Sequence, residues 1–273
     1  MAEHTIGTGL GRLHVTRSGA GTPMVLWHSL FLDSRSWCGF DEVLARDHDV
    51  IVIDGPSHGR SEPIARDFTF ADCVTAAGEV LDALDVAEPV HWLGNAWGGH
   101  VGIQFAARHP TRVRTLTTIG TPAHALRTAE RWTKVWPLVQ LYRVVGPHPL
   151  LVTPLAEALV GREALDRTPD LAATVMSAFT GADRASMFRA MRSMMMRRPA
   201  MAEALAGLAL PVLMIAGRDD ITGWRPADAE AIAAKMADAH VVSAAGSGHS
   251  TPLLVDRDTV EAALADFLRR QPA

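Results

Sequence analysis

Short apolar runs and segments with apolar residues at helical spacing alternate along most of this chain. Residues 89–93 and 211–216 are near-continuous apolar runs, the pattern of strands buried on both faces of a parallel sheet. Similar runs at 12–17, 23–28, 49–54, 113–119 and 239–243 predict further strands, with the two first runs extended to 89–94 and 211–216. Helical spacing predicts helices over 35–46, 70–85, 97–108, 226–237 and 256–270. In the second of these, Val74, Ala77, Val80, Leu81 and Leu84 fall on one face, and Thr69 stands where an N-cap would open the helix. In the third, Val101, Ile103, Phe105 and Ala106 can face a sheet. Strands alternating with helices predict an α/β fold, a mostly parallel sheet covered on both faces.

The alternation stops between about Pro122 and Gly207. This stretch is rich in helical pattern and holds no strand-like run, with turns marked by Pro147-His148-Pro149 and Thr153-Pro154. The expected organisation is therefore a sheet-bearing core over 1–122 and 208–273, with a helical insertion over 123–207. Two apolar clusters stand out in the insertion: Trp132, Trp136, Leu138, Leu141 and Tyr142, then Met187, Met191, Met194, Met195 and Met196. Most of these are expected to pack the insertion's own core. Methionine is unbranched and polarizable, so some could instead line an adaptable apolar pocket.

Composition narrows the function classes. A net charge of −4 gives no basic footprint for nucleic acid. No apolar run approaches the roughly 20 residues that span a bilayer. Cys38 and Cys73 show neither metal-ligand spacing nor a disulfide framework, and the N-terminal residues show no signal-peptide pattern, so a cytoplasmic protein is expected. No His/Asp/Glu cluster and no phosphate-binding glycine loop implies a metal or other cofactor; none is expected. The partner expected is a small, hydrophobic molecule, bound by a monomer or homodimer, with no membrane contact.

One segment carries chemistry. Gly94-Asn95-Ala96-Trp97-Gly98-Gly99 joins a predicted strand to a predicted helix with glycines two before and two after position 96. This is the spacing of a nucleophile elbow, in which a strained turn lifts its central side chain clear of the sheet. Here that side chain is a methyl. Downstream, the 211–216 strand runs into Gly217-Arg218-Asp219-Asp220, and the segment from Val241 runs into Gly246-Ser247-Gly248-His249-Ser250. Elbow, acid and histidine therefore follow in the order 96, 220, 249.

That order resembles the α/β-hydrolases, and within them the capped small esterases, enol-lactonases and carbon–carbon bond hydrolases, over nearly the full length. Two more segments carry the likeness. Met24-Val25-Leu26-Trp27-His28-Ser29-Leu30-Phe31 is similar to the strand and His-Gly-x loop, with Ser29 where glycine is usual. Asp54-Gly55-Pro56-Ser57-His58-Gly59-Arg60-Ser61 is similar to the Asp-x-Pro-Gly-x-Gly-x-Ser turn, with Ser57 replacing a glycine. The resemblance implies a Ser-His-Asp hydrolase of carboxylic esters or lactones, with Ala96 at the nucleophile position and His249 as base. It implies Asp220 as the acid, since the pattern is Gly-x-x-Asp counted from Gly217; Asp219 is the adjacent competitor. The backbone N–H groups of Leu30 and Trp97 would form the oxyanion hole, with His28 orienting its loop. Candidate substrate contacts are His28, Phe31, Trp132, Trp136 and Met191; His58, His91, His100 and His109 are read as structural. Arg184, Arg189 and Arg192 either pair with a substrate carboxylate or lie on a solvated helix face.

Ala96 has several readings. A parent serine has been replaced, leaving an inactive site that still binds substrate; or the chain is a natural non-catalytic ligand-binding homologue; or the turn is an accidental strand–helix junction. The fold also hosts C–C hydrolases, lyases, cofactor-free oxygenases and aspartate-nucleophile dehalogenases and epoxide hydrolases. Trp97 permits the aspartate type, whereas the single tyrosine, Tyr142, argues against epoxide opening.

Overall fold

The computed structural model describes residues 1–271. Eight strands, β1 (Ala2–Thr8), β2 (Gly11–Ser18), β3 (Thr22–Trp27), β4 (His48–Ile53), β5 (Val90–Asn95), β6 (Val113–Ile119), β7 (Val212–Gly217) and β8 (Ala239–Ala244), form one sheet. Their order is β1-β2-β4-β3-β5-β6-β7-β8. The pairs β1–β2 and β2–β4 are antiparallel, and every other pair is parallel. β1 has no counterpart among the expected strands. It is an edge strand with only Ile6 buried, so it carries no apolar run to read.

Side chains alternate across the central strands as a period of two requires. Val25, Trp27, Ile51, Ile53 and Trp92 pack on one face with α2 (Phe70–Ala83) and α3 (Trp97–Arg108). Met24, Leu26, Val50, Val52, Leu93 and Ile215 pack on the other, against Phe40 of α1 (Phe40–Leu44) and against Leu264 and Phe267 of α13 (Arg257–Arg269). Thr69 opens α2 with a capping box: Asp72 N–H donates to its hydroxyl (3.2 Å) and its own N–H donates to the Asp72 carboxylate (2.7 Å). The helix expected over 35–46 is instead a 3-10 turn, Ser34–Trp37, followed by α1. Cys38 and Gly39, at φ 54° and 79°, break it.

Between β6 and β7 the chain leaves the sheet. There α4 (Thr128–Glu130), a π-helical turn (Arg131–Val135), α5 (Trp136–Val145), α6 (Pro149–Leu159), α7 (Gly161–Arg167), α8 (Pro169–Thr180), α9 (Arg184–Met194) and α10 (Ala202–Ala206) form a helical insertion. After β7 come α11 (Pro226–Ala233) and, following β8, α12 (Thr251–Val255). Among the described residues, no helix is long and apolar enough to cross a membrane.

Candidate active site

β5 ends at Asn95 and α3 begins at Trp97, so one residue, Ala96, turns the chain at φ 46° and ψ −100°. This conformation costs a residue with a Cβ on the order of 1–3 kcal/mol. The flanking glycines make the turn possible. A Cβ on Gly94 would lie 2.3 Å from the Gly98 carbonyl carbon, and one on Gly98 would lie 1.8 Å from the Trp27 carbonyl oxygen. Gly98 N–H donates to the His28 carbonyl (3.1 Å), fastening the start of α3 to the loop after β3.

That loop is held by two histidines. Gly55 N–H donates to His28 Nε2 (2.8 Å), so the ring proton sits on Nδ1 and is donated to the Ser29 carbonyl (2.7 Å). Phe31 N–H donates to His58 Nε2 (3.2 Å), and His58 Nδ1–H to the Pro56 carbonyl (2.8 Å). Burial pushes both rings below the ordinary histidine range, His58 to about 3, so both remain neutral acceptors. Asp54, at the start of the next turn, takes N–H donors from Ser34 (2.8 Å) and Arg60 (3.0 Å) and lies 3.3 Å from His14. Burial opposes its charge, but those donors and the nearby histidines outweigh it and hold the carboxyl below its usual range. The result is a loop fixed from several sides. Within it the Leu30 N–H, like that of Trp97 at the head of α3, finds no acceptor among the described residues.

His249 lies in the loop between β8 and α12. Its N–H and that of Ser250 donate to the carbonyls of Ala158 (3.1 Å) and Leu159 (2.7 Å). Carbonyls in the last turn of a helix lack intrahelical partners, so the loop caps α6. Asn95 ties the same loop to the elbow: its Nδ2 donates to the carbonyls of His249 (2.9 Å) and Ile119 (3.0 Å), and Ser250 Oγ donates to its Oδ1 (2.6 Å). Asp220 Oδ2 lies 3.4 Å from His249 Nδ1, an ion-pair distance rather than a tight hydrogen bond. Thr222 sits between them. Its N–H (2.6 Å) and hydroxyl donate to Asp220 Oδ1, and its oxygen lies 3.2 Å from His249 Nδ1. A proton on Nδ1 is thus donated to the Thr222 oxygen with the Asp220 carboxylate beside it, which leaves Nε2 as the acceptor. Burial raises the Asp220 carboxyl, but His249 and Thr222 outweigh it and hold the group ionised below its usual range.

Ala96, Leu30, Phe31, Trp97, His249 and Thr222 all line one cavity of about 440 Å³ between the sheet and the helical insertion. A wider, shallow depression of about 570 Å³ beside the Arg17–Asp49 ion pair at the sheet edge holds none of these groups. Four of the five expected substrate contacts lie elsewhere. Trp132 and Trp136 point outward, 57% and 44% exposed. The inward stripe of this helix is Val135, Leu138, Val139 and Tyr142, at i, i+3, i+4 and i+7, of which Val135 and Leu138 reach the cavity. Met191 is buried inside the insertion, and Met194 and Met195 line the cavity instead. His28 acts from behind the loop. Asp219 is exposed and makes no contact with His249.

A profile of the alpha/beta hydrolase fold matches residues 22–256. The chain belongs to the α/β-hydrolase fold family. The chain is 37% identical over 111 residues to a pimeloyl-(acyl-carrier protein) methyl ester esterase of Methylococcus capsulatus, covering 40% of this chain and 41% of that one. It is 32% identical over 115 residues to a 2-hydroxy-6-oxononadienedioate/2-hydroxy-6-oxononatrienedioate hydrolase of Cupriavidus pinatubonensis, covering 40% and 39%. The chain thus spans about two fifths of the length of these curated relatives. In fold it is similar to a thermophilic esterase from Thermogutta terrifontis (TM-score 0.87, 22% identity, 99% of each chain). It is likewise similar to the enol-lactonase from Burkholderia xenovorans LB400 (TM-score 0.86, 23% identity, 98% and 100%).

Several residues of this site were not singled out by sequence reasoning. Asn95 stood inside the elbow motif without a role, and Thr222 had only its spacing, two residues after Asp220. His58 and His100 were read as structural. His58 holds Phe31, and His100 lines the cavity while donating Nε2–H to the Pro122 carbonyl (2.8 Å). Arg198, also in the lining, had one available signal: it stands two residues after the methionine run that reaches the cavity.

Proposed function

We propose that this hydrolase-family site binds a small, largely apolar ligand through an ester or lactone carbonyl, and holds it without acyl-enzyme turnover. One observation carries the reading. At Ala96 the strained elbow is retained, facing the same cavity as His249 and the two free N–H groups, while the attacking oxygen is missing. The carbonyl oxygen would accept from Leu30 N–H and Trp97 N–H, placing its carbon over the Ala96 methyl. With serine at 96, Oγ would attack that carbon while His249 Nε2 takes its proton. The imidazolium would then protonate the leaving alkoxide, and water would release the acyl group by the same relay. With alanine the sequence stops before its first bond forms.

Turnover of p-nitrophenyl esters and simple lactones by the chain and by Ala96→Ser tests this. Removal of a triad serine costs up to about 10⁶ in turnover, so Ala96→Ser is expected to gain about 10³-fold or more, with an acyl-enzyme burst. Equal rates in both proteins would mean that another group attacks, and would overturn the reading. If Ala96→Ser is inert and Ala96→Asp opens haloalkanes, the site is of the aspartate type.

A further inference from the structure

We propose that Arg198 is an anion-recognising residue of this cavity, so that the ligand carries a carboxylate besides its ester or lactone carbonyl. The proposal rests on the reading of the cavity given above and narrows its substrate class.

Arg198 follows α9 and lines the cavity together with Met194, Met195, His100 and His124. Its Nη1 donates to the Pro122 carbonyl (3.3 Å) and its Nη2 to the His124 carbonyl (3.2 Å). A guanidinium has five N–H donors, so most remain uncommitted. Among the described residues no carboxylate lies within 4.0 Å of it. The other arginines of this region are engaged elsewhere. Arg192 pairs with Asp67, as does Arg197 (3.2 Å). Arg184 donates to the carbonyls of Arg143 and Val144, and Arg189 to that of Ile64 (3.5 Å). None of the arginines expected from sequence as carboxylate partners, Arg184, Arg189 and Arg192, lines the cavity, and Arg198 does.

Charge in the cavity is unbalanced. Glu130 is the one carboxylate in the lining, and it lies 3.8 Å from Lys134, which also lines the cavity. Arg198 is left as an uncompensated cation, half-buried beside apolar methionines. Burial pushes its pKa down, Glu130 pulls it partly back, and Arg131 adds to the lowering. Arginine does not shed its proton in proteins, so the desolvation cost persists until an anion arrives. A carboxylate matches the guanidinium fork with two parallel hydrogen bonds.

Monomethyl adipate and dimethyl adipate differ by one carboxylate and share the ester, so calorimetric titration of the full chain with each isolates the effect. Binding of the monoester is expected to be at least about tenfold tighter at low salt, with a gap that shrinks as ionic strength rises. Arg198→Gln should narrow the gap below about threefold, and Arg198→Lys should keep part of it. If Arg198→Gln does not fold, the Lys variant and the salt series decide. Equal affinities that Arg198→Gln leaves equal would overturn the proposal and spare the ester reading; they would make Arg198 only a clamp on the Pro122 and His124 carbonyls. Arg198-dependent binding of adipate, with both esters rejected, would support the anion site and sink the ester reading. No binding of any of the three at millimolar concentration overturns both.

Discussion

Ala96 holds a strained backbone without an attacking atom on its side chain. At φ 46° and ψ −100° it occupies a conformation open to glycine and costly for any residue with a Cβ. Ala96→Gly relieves about 1–3 kcal/mol of strain. Against this stand about 0.5–1 kcal/mol of added chain entropy and about 0.8 kcal/mol for one lost buried carbon. The variant is expected to lie between about 0.8 kcal/mol below and about 1.7 kcal/mol above the parent in urea unfolding. A loss of about 1.3 kcal/mol or more would show the turn to be relaxed. Ser57 shows the same conflict at φ 67°, where the resembling turn has glycine; its hydroxyl offsets part of the strain by accepting from Ile64 N–H (3.0 Å). Glycine spacing around position 96 was legible because close backbone approach excludes every other residue there. The place of Arg198 was not, because it depends on how a distant helical segment folds over the sheet, which no local pattern specifies.

At the scale of elements, the site is a junction of β5, the loop after β8 and the helix α6. Asn95 is its buried link, with two side-chain hydrogen bonds to the loop after β8 and a third to Ile119 at the end of β6. Asn95→Ala leaves the Ser250 hydroxyl and the His249 carbonyl short of partners, each costing about 1–3 kcal/mol where buried. A loss of about 2–4 kcal/mol in chemical denaturation is expected, with weaker ligand binding because His249 is no longer held. A stability change within 0.5 kcal/mol, a level typical of exposed positions, would show that the loop is held by α6 alone. The sheet was legible from its central strands because burial on both faces writes an apolar run into the sequence. The edge strand β1 was not, since one buried residue leaves no run. In the insertion the helices were legible but not their rotation. Trp132 and Trp136, four apart, share a face and were expected to reach the substrate; the i, i+3, i+4, i+7 stripe through Val135, Leu138, Val139 and Tyr142 is the face turned to the cavity and to the insertion's other helices.

The whole molecule buries more histidine than a neutral-pH protein needs, and this sets its response to acid. Burial is the main cause that depresses His58 and His100 to about 3, His91 to about 4, and His28 in the same direction. In the unfolded chain these rings titrate near 6.5. Above that pH both states are neutral at these positions and stability is insensitive to them. As pH falls below 6.5, the unfolded chain takes up protons that the folded chain refuses, so stability is lost progressively toward pH 3 to 4. At pH 5 each such ring costs about 2 kcal/mol, and the three with the largest shifts together approach the 5–15 kcal/mol stability of a typical domain. The urea midpoint should therefore stay nearly flat from pH 8 to 7 and fall steeply between 6.5 and 5, with a slope near three protons. His91 lies far from the cavity, its Nδ1 2.8 Å from the Thr115 hydroxyl, so His91→Asn should remove about one proton from that slope without moving its onset. A slope below one proton in this window would mean that these rings titrate as exposed ones do, and the packing that holds the loop around Leu30 would be looser than its hydrogen bonds indicate.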